Sequence, residues 1–317
     1  MSKLLLVDHS NLFWRSFHAY PHLSHDGMPT GAIFGFVAKL VELIRELDPT
    51  DVVVALDKPP YLRKKDCRDF KADRKKMDED VLEASQAQKK PLYNILKSAG
   101  IQVSGRKGYE ADDVIAYCAN QYAGDYDEIL CYSNDSDLNQ LLVHDNVTLV
   151  RGKHDEQYAY KDFKKAYPDL EPCDWILMTA LEGGHNGVPG FTGIGPKSAY
   201  KLVIDGHAAI QEKLLINALR DEIPREDKKA RAKVKVDLGD LSEHERHLLD
   251  IIEDKLEMNK HLAGLPYKNA ELDIPIKQDK LTQEYDGREF VKALAAYGIA
   301  PKPFLLPVIS NFHSRRV

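Results

Sequence analysis

The chain has 317 residues, of which 43% are hydrophobic and 30% are charged, and its formal net charge is −6. This length suits about two ordinary domains, and the composition excludes an intrinsically disordered or collagen-like chain. No apolar run approaches the roughly 20 residues of a membrane span, and the first one ends at Asp8, so we expect a cytoplasmic protein without a signal peptide or a membrane partner.

Strands and helices alternate through the first half of the sequence. An apolar strand at 3–8, a helix-period segment at 30–47 and a second strand at 51–57 predict a parallel β-α-β unit. The pattern then predicts a helix at 81–99, a strand at 101–103, a helix from 109, a strand at 128–133, a helical 138–143 and a strand at 147–150. We therefore predict an α/β fold with a doubly wound, mostly parallel sheet.

After about residue 160 the pattern changes to short helices. The charged stretch 225–235 predicts an exposed helix or loop, and helices are predicted at 237–261 and 288–297. Prolines 301, 303 and 307 predict an irregular C-terminal strap. The four cysteines show no Cys-x-x-Cys spacing, so we expect neither a disulfide framework nor a thiolate zinc site.

Seven acidic residues follow predicted strands or begin a predicted helix. They are Asp8, Asp57, Glu110, Asp112, Asp113, Asp135 and Asp137. In open α/β sheets the binding crevice lies at the carboxyl ends of the strands, so these acids should converge there. Such a cluster stays ionised when hard divalent cations neutralise it, and Mg²⁺ prefers oxygen ligands. Each acid alone would be read as a turn former or helix cap, but their coincidence in one sheet favours a metal site.

Basic residues are concentrated although the net charge is negative. Residues 58–76 contain nine basic and three acidic side chains. Within them, Lys71 and Arg74 lie three apart on one helical face, a spacing suited to a phosphodiester beside metal ions. A solvated charged face is the alternative interpretation.

A glycine-rich stretch at 183–198 separates two predicted helices. Its last part superficially matches a Walker A motif, but Pro196 precedes Lys197 and no strand comes before it, so we reject a phosphate-binding P-loop. We predict instead a hairpin whose backbone N–H groups, with Lys197 and Lys201, contact phosphates without base specificity. A purely structural turn is the alternative.

Seven segments carry a resemblance to a known family. They are Leu4–Ala19 (LLLVDHSNLFWRSFHA), Gly27–Gly31, Val54–Asp57, Phe70–Arg74, Gly108–Asp113, Asn134–Leu142 and Gly193–Lys197. In this order, over residues 3–205, the chain resembles the 5′-nuclease and flap endonuclease family, particularly the 5′-nuclease domain of bacterial DNA polymerase I and its stand-alone phage and bacterial relatives.

The resemblance implies a PIN-like core at 1–175 with a helical arch at about 75–97, a helix-three-turn-helix subdomain at 176–265 that grips duplex DNA, and a C-terminal strap at 266–317. It implies that Mg²⁺ or Mn²⁺ binds at two sites, and that K⁺ binds at the hairpin. The first site would use Asp8, Asp57, Glu110 and Asp112, and the second Asp113, Asp135 and Asp137. Lys71 and Arg74 would be catalytic. The implied DNA contacts are Arg15, Arg63, Lys71, Arg74, Gly193, Gly195, Lys197, Ser198 and Lys201.

One departure from the family pattern concerns the second metal site. The family reads Gly-Asp-x-Ser-Asp-Asn where this chain has Glu182-Gly-Gly-His-Asn-Gly187, so aspartates are missing at Gly183 and Asn186. Each lost carboxylate removes a full charge from the ligands of the cation. We therefore expect one tight metal site and a weaker second one.

The expected activity is that of a metal-dependent 5′-3′ exonuclease and flap endonuclease in DNA replication or repair. Its expected partners are DNA with a 5′ flap, nick or single-stranded 5′ end, the RNA of RNA–DNA hybrids, and a DNA polymerase; we expect a monomer. One alternative is a DNA-junction binding protein with vestigial catalysis. Another, an RNA-processing nuclease of the PIN-like type, is disfavoured by the predicted duplex-gripping hairpin.

Overall fold

A computed structural model describes residues 1–68, 70–71, 77–183, 187–268, 272–274, 285–300 and 305–314. The described strands are β1 (Lys3–Asp8), β2 (Ser24–His25), β3 (Met28–Pro29), β4 (Asp51–Ala55), β5 (Gln102–Ser104), β6 (Glu128–Tyr132), β7 (Val147–Arg151) and β8 (Glu156–Tyr158).

The described helices alternate with these strands and then continue alone. They are α1 (His9–Ala19), α2 (Gly31–Leu47), α3 (Arg63–Asp66), α4 (Glu79–Ser98), α5 (Ala111–Tyr122), α6 (Tyr160–Ala166), α7 (Trp175–Glu182), α8 (Pro196–Asp205), α9 (His207–Asp221), α10 (Lys228–Lys233), α11 (Glu243–Ala263), α12 (Gly287–Ala295) and α13 (Leu305–Ser314), with short 3-10 helices at Ser136–Val143 and Pro172–Asp174.

A six-stranded sheet in the order β5-β4-β1-β6-β7-β8 forms the centre of the fold. Its first five strands are parallel, and β8 is antiparallel to β7. The predicted α/β fold with a mostly parallel sheet is thereby confirmed. The sequence pattern did not predict β8 or the small β2–β3 hairpin, which are only two or three residues long.

The central strand β1 shows why both faces of the sheet carry helices. Leu4 and Leu6 pack into one apolar cluster with α5, and Leu5 and Val7 pack into another with α1 and α2. All four side chains are completely buried. A strand that is apolar on both faces is typical of a parallel sheet between two helical layers.

The first of these clusters continues from the sheet into the helical second half of the chain. It includes Ile194 before α8, Leu214 in α9 and Ile252 in α11. Asn259 of α11 donates hydrogen bonds to the carbonyls of Ala180 and Pro189, at 2.9 and 2.8 Å. The region predicted as a duplex-binding subdomain therefore shares a hydrophobic core with the sheet.

Two of the predicted regions contain helices in the structure. The predicted arch at about 75–97 begins among residues outside the described part, and from Glu79 it is the single helix α4, whose buried Leu92, Ile95 and Leu96 pack on the core. The predicted irregular strap contains helix α13. Pro307 does not prevent this helix, because it lies in the first turn, where a helix tolerates proline. Pro301 and Pro303 lie outside the described residues.

None of the helices in the described part of the chain is long and apolar enough to cross a membrane.

Candidate metal and phosphate site

A cavity of about 760 Å³ opens at the carboxyl edge of the sheet. Because β1, β4 and β6 run parallel, the residues that follow them meet at this edge. Five of the seven predicted carboxylates line the cavity: Asp8, Asp57, Glu110, Asp112 and Asp135. Acids separated by more than a hundred positions in sequence thus share one pocket.

The backbone fixes Asp8 at the end of β1. Its Oδ1 accepts a hydrogen bond from the N–H of Asn11 at 3.0 Å and so caps α1, while its Oδ2 accepts one from the hydroxyl of Ser133 at 2.8 Å. Burial raises the pKa of Asp8 to about 6, and the charges of Asp57 and Asp135 add to the rise, while these two hydrogen bonds oppose it.

The start of α5 brings two more carboxylates to the same place. Burial raises the pKa of Asp112 well above its ordinary value, and the charges of Asp113 and Glu110 raise it further. Burial also raises the pKa of Glu110, although the cations Lys71 and Arg63 lower it. The N–H of Ala111 donates to Oδ1 of Asp57 at 3.1 Å, which ties this helix start to the end of β4. Negative charge is therefore crowded in the cavity, and a cation would relieve it.

Asp113, predicted as a metal ligand, has both carboxylate oxygens engaged by protein donors in this structure. Its Oδ1 accepts from Nη2 of Arg63 at 2.8 Å and from the N–H of Tyr267 at 2.9 Å. Its Oδ2 accepts from Nη1 of Arg63 at 2.7 Å and from the N–H of Glu110 at 3.0 Å. The four lone-pair positions of the carboxylate are thus filled by protein donors, and the residue is fully buried.

Arg63, predicted to contact DNA, is likewise engaged by protein partners in this structure. Its side chain is only 4% exposed, and its guanidinium stacks 4.7 Å from the centre of the Tyr267 ring. Burial opposes the charged form, but Asp113 and its acidic neighbours outweigh it and raise the pKa of Arg63. No face of this cation is left for a phosphate.

Asp137 lies in the 3-10 helix beyond β6 and does not line the cavity. It is 6% exposed, and the hydroxyl of Thr179 in α7 lies 3.4 Å from its Oδ1. Gly183, where the family pattern has a carboxylate, ends α7 with a φ of +72°. Asn186 lies outside the described residues. Of the three acids predicted for the second site, Asp135 lines the cavity, and Asp113 and Asp137 do not.

Cationic side chains line the cavity beside the acids. The ammonium of Lys71 contacts the carboxylate of Glu110, and the Lys71 side chain is 7% exposed. Arg15 of α1 donates to the hydroxyl of Tyr132 at 2.7 Å and also lines the cavity. The predicted catalytic and DNA-binding Arg74 lies outside the described residues.

Two cavity residues of α4 were not predicted. Lys89 and Tyr93 lie four positions apart, so they share one face of the helix, and both line the cavity. Their spacing is the signal that could have identified them, but it is common on any charged helix. The buried His9 stacks on Phe13, with ring centres 5.4 Å apart, and forms part of the same wall.

The predicted phosphate-binding hairpin is presented at the surface. Gly193, Gly195, Lys197, Ser198 and Lys201 are all exposed. Helix α8 begins at Pro196, and its N-cap residue Gly195 provides no side-chain cap, which suits an anion-binding helix start. The N–H of Phe191 donates to the carbonyl of Leu181 at 2.9 Å and holds the hairpin to α7.

The cavity has the oxygen ligands that hard divalent cations prefer. As the side chains stand, no group of three or more His, Cys, Asp or Glu residues in the described part of the chain is arranged to hold a metal ion. The carboxylates are engaged by protein donors instead, with Ser10 on Asp57, Ser133 on Asp8 and Lys71 on Glu110. The donor chemistry fits a divalent cation, and binding one requires these side chains to exchange partners.

Residues 3–168 match the family described as 5′-3′ exonuclease, N-terminal resolvase-like domain. The chain is 37% identical over 206 residues to a 5′-3′ exonuclease of Aquifex aeolicus, covering 64% of this chain and 69% of that protein. It is 31% identical over 264 residues to a 5′-3′ exonuclease of Bacillus subtilis, covering 79% of this chain and 83% of that one. It spans between 20% and 30% of the length of the bacterial DNA polymerase I sequences that it matches.

The fold is similar to that of the T5 5′-exonuclease, whose solved structure contains bound zinc ions. The TM-score is 0.62 at 19% sequence identity, and the alignment covers 99% of this chain and 100% of the phage protein. At this identity the similarity concerns the fold.

Proposed function

This chain belongs to the 5′-3′ exonuclease family and is a nuclease, and from that premise we propose that it is a metal-dependent 5′-3′ exonuclease and flap endonuclease of DNA. The observation that carries the proposal is the convergence of five carboxylates and Lys71 in one cavity at the carboxyl edge of the sheet. That combination suits a phosphodiester held between cations.

We propose that Asp8, Asp57, Glu110 and Asp112 hold the tighter of two divalent cations, Mg²⁺ or Mn²⁺, and that Asp135 serves a weaker second site. A cation bound there supplies an activated water and neutralises charge on phosphoryl oxygens. Burial, and after it mutual repulsion, raises the pKa values of Asp8 and Asp112, and a bound cation would offset both effects on the charged carboxylates.

Lys71 contributes the positive charge that the protein itself brings to the reacting phosphate. Its ammonium contacts Glu110 and lies against the rings of Phe70 and Tyr61, 5.1 and 5.5 Å from their centres. With Glu110 engaged by a divalent cation, the Lys71 ammonium would be available to a phosphate oxygen, where it would offset charge that develops during hydrolysis. We assign the same role to Arg74.

The exposed hairpin positions the duplex beside the cavity. The N–H groups at the start of α8, with Lys197 and Lys201, bind backbone phosphates, and K⁺ binds the carbonyls of the hairpin. These contacts carry no base information, so the protein selects DNA by structure: a 5′ flap, a nick or a single-stranded 5′ end. RNA in RNA–DNA hybrids is a further proposed substrate, and we propose a monomer that acts beside a DNA polymerase.

The test is cleavage of a 5′-labelled flap in the presence of Mg²⁺. The wild type should release short labelled products, and both Asp8→Ala and Asp135→Ala should lose them. Asp127→Ala is the matched control, because Asp127 is an exposed acid just before β6, at the opposite edge of the sheet from Asp135. Gel-shift binding without any metal-dependent product from the wild type would support the alternative of a binding protein.

A further inference from the structure

The buried Arg63 is saturated by partners from two distant parts of the chain. Its Nη1 donates to Oε2 of Glu110 at 3.2 Å and to Asp113 at 2.7 Å. Its Nη2 donates to Asp113 at 2.8 Å and to the carbonyl of Gly264 at 3.3 Å, and its Nε donates to the carbonyl of Leu262 at 2.9 Å. All five N–H donors of the guanidinium are thereby used.

The ion pair between Arg63 and Asp113 lies at the start of α5. Asp113 caps this helix by accepting the N–H of Glu110 at 3.0 Å, and its other hydrogen bonds come from Arg63 and from the N–H of Tyr267. Glu110 is thus held twice, through its backbone by Asp113 and through its side chain by Arg63. The second oxygen of Glu110 remains directed to Lys71 in the cavity.

Residues 262–268, which we call the clasp, complete this arrangement from the end of α11. The amide of Gln140 donates to the carbonyl of Ala263 at 3.0 Å and its oxygen accepts the N–H of Leu265 at 3.1 Å, which fixes the clasp next to the sheet. At its far end, Lys268 pairs with Asp66 of α3 at 2.9 Å. The clasp is therefore anchored independently of Arg63.

We propose that Arg63 and Asp113 are positioning residues that set the place of Glu110 in the cavity, and that the clasp is the part of the chain that holds them. The inference rests on the proposed role of Glu110 as a metal ligand. The clasp lies about 150 residues from Glu110 in sequence and does not line the cavity. It nevertheless affects cation affinity, because it holds the two residues that position Glu110.

The geometry of Arg63 explains why another cation would not serve. Its planar fork meets both oxygens of Asp113 while the remaining N–H groups reach Glu110 and two carbonyls, and its face stacks on the ring of Tyr267. A lysine supplies a single point of charge and three donors. Partners that orient a metal ligand in this way change metal affinity by about 10 to 100-fold when they are removed.

The test compares cation affinity, flap cleavage and stability in three variants. Asp113→Asn removes the charge of the pair, Arg63→Lys keeps the charge but loses the fork, and Tyr267→Leu removes the stacked ring while its backbone N–H remains. Glu128→Gln is the control, because it breaks the ion pair with Lys3, 3.0 Å long, at the opposite end of the sheet. Mg²⁺ binding is measured by titration calorimetry without DNA, and unfolding by urea.

We expect Asp113→Asn and Arg63→Lys to weaken Mg²⁺ binding by about 10-fold or more, with the number of bound ions unchanged. Tyr267→Leu should weaken it by a few fold. In all three, cleavage should be restored in part by raised Mg²⁺, whereas a loss that was merely structural would not respond to the cation. Glu128→Gln should bind Mg²⁺ as the wild type does.

Three results would overturn the inference. Loss of one bound ion in Asp113→Asn would make Asp113 a ligand, and wild-type Mg²⁺ affinity in Asp113→Asn or Arg63→Lys would remove their positioning role. If the buried-pair variants do not fold, Tyr267→Leu decides, and unchanged Mg²⁺ affinity in it rejects the clasp. A wild type that neither binds Mg²⁺ nor cleaves DNA would instead refute the proposed function.

Discussion

The variant Gly187→Ala tests the role of Lys71 most sharply, because it adds a methyl group next to the Lys71 backbone. The φ of Gly187 is +87°, and its backbone lies directly against Lys71. A Cβ at this position would lie 2.5 Å from the backbone nitrogen and the Cγ of Lys71, and 2.8 Å from its Cα. Because two of these contacts are with the backbone, a side-chain rotation cannot relieve the clash.

The size of the effect follows from these distances. Ordinary contact of a Cβ begins at 3.4 Å, so Gly187→Ala should displace the backbone of Lys71 by roughly 0.9 Å. A shift of about 1 Å in a group that positions a substrate can cost on the order of 100-fold in rate. The positive φ also disfavours alanine by about 1–2 kcal/mol. We therefore expect a fall in kcat of between 10 and 100-fold together with a modest loss of stability.

Gly206→Ala separates these two effects. Gly206 has nearly the same φ, +90°, but no atom lies within 4 Å of the position of an added Cβ. Both variants should lose stability in urea unfolding through the positive φ, Gly187→Ala more because of its clash, and only Gly187→Ala should slow single-turnover cleavage of a labelled flap. Equal cleavage rates in the two variants would refute the positioning of Lys71 by Gly187.

Three further outcomes are expected. Lys71→Ala should lower kcat far more than DNA affinity, because one phosphate contact among several is a small share of binding; equal losses in both would contradict its assignment. Lys197→Ala and Lys201→Ala should each reduce the slope of log affinity against log salt by about 1 in filter-binding assays, and an unchanged slope would remove the residue from the DNA surface. In metal-free protein the pKa of Asp8 is raised to about 6, so the folded state binds a proton at this carboxyl more tightly than the unfolded state does. The stability that this proton contributes to the folded state is therefore lost as pH rises. Between pH 5 and 7.5 the wild type should lose about 1 to 2 kcal/mol more unfolding free energy than Asp8→Asn in urea titrations with chelator, and identical pH profiles would refute the shift.

The carboxylate cavity was predictable because its causes are local. Asp8 and Asp57 each follow a short apolar run, and parallel strands deliver such residues to the same edge of the sheet. The Glu110 helix start follows the same logic, since Ala111 bonds back to Asp57. Order along the chain and hydrophobic pattern were sufficient here.

The role of Arg63 was not predictable, because its partners are determined by tertiary packing. In sequence it stands in a run of basic residues that indicates a solvated or phosphate-binding face. In the structure it is buried by a segment 199 to 204 residues away, whose carbonyls and tyrosine ring leave no local signal. The pairing of Asp113 was hidden for the same reason, since its spacing from Asp112 suits a metal ligand and only the fold brings a guanidinium to it.

Anomalous diffraction from crystals soaked in Mn²⁺ tests most directly whether the five cavity carboxylates hold divalent cations. We predict a strong anomalous peak bounded by Asp8, Asp57, Glu110 and Asp112, and a weaker one beside Asp135. A cavity without any peak, at a Mn²⁺ concentration that supports flap cleavage in solution, would contradict the account.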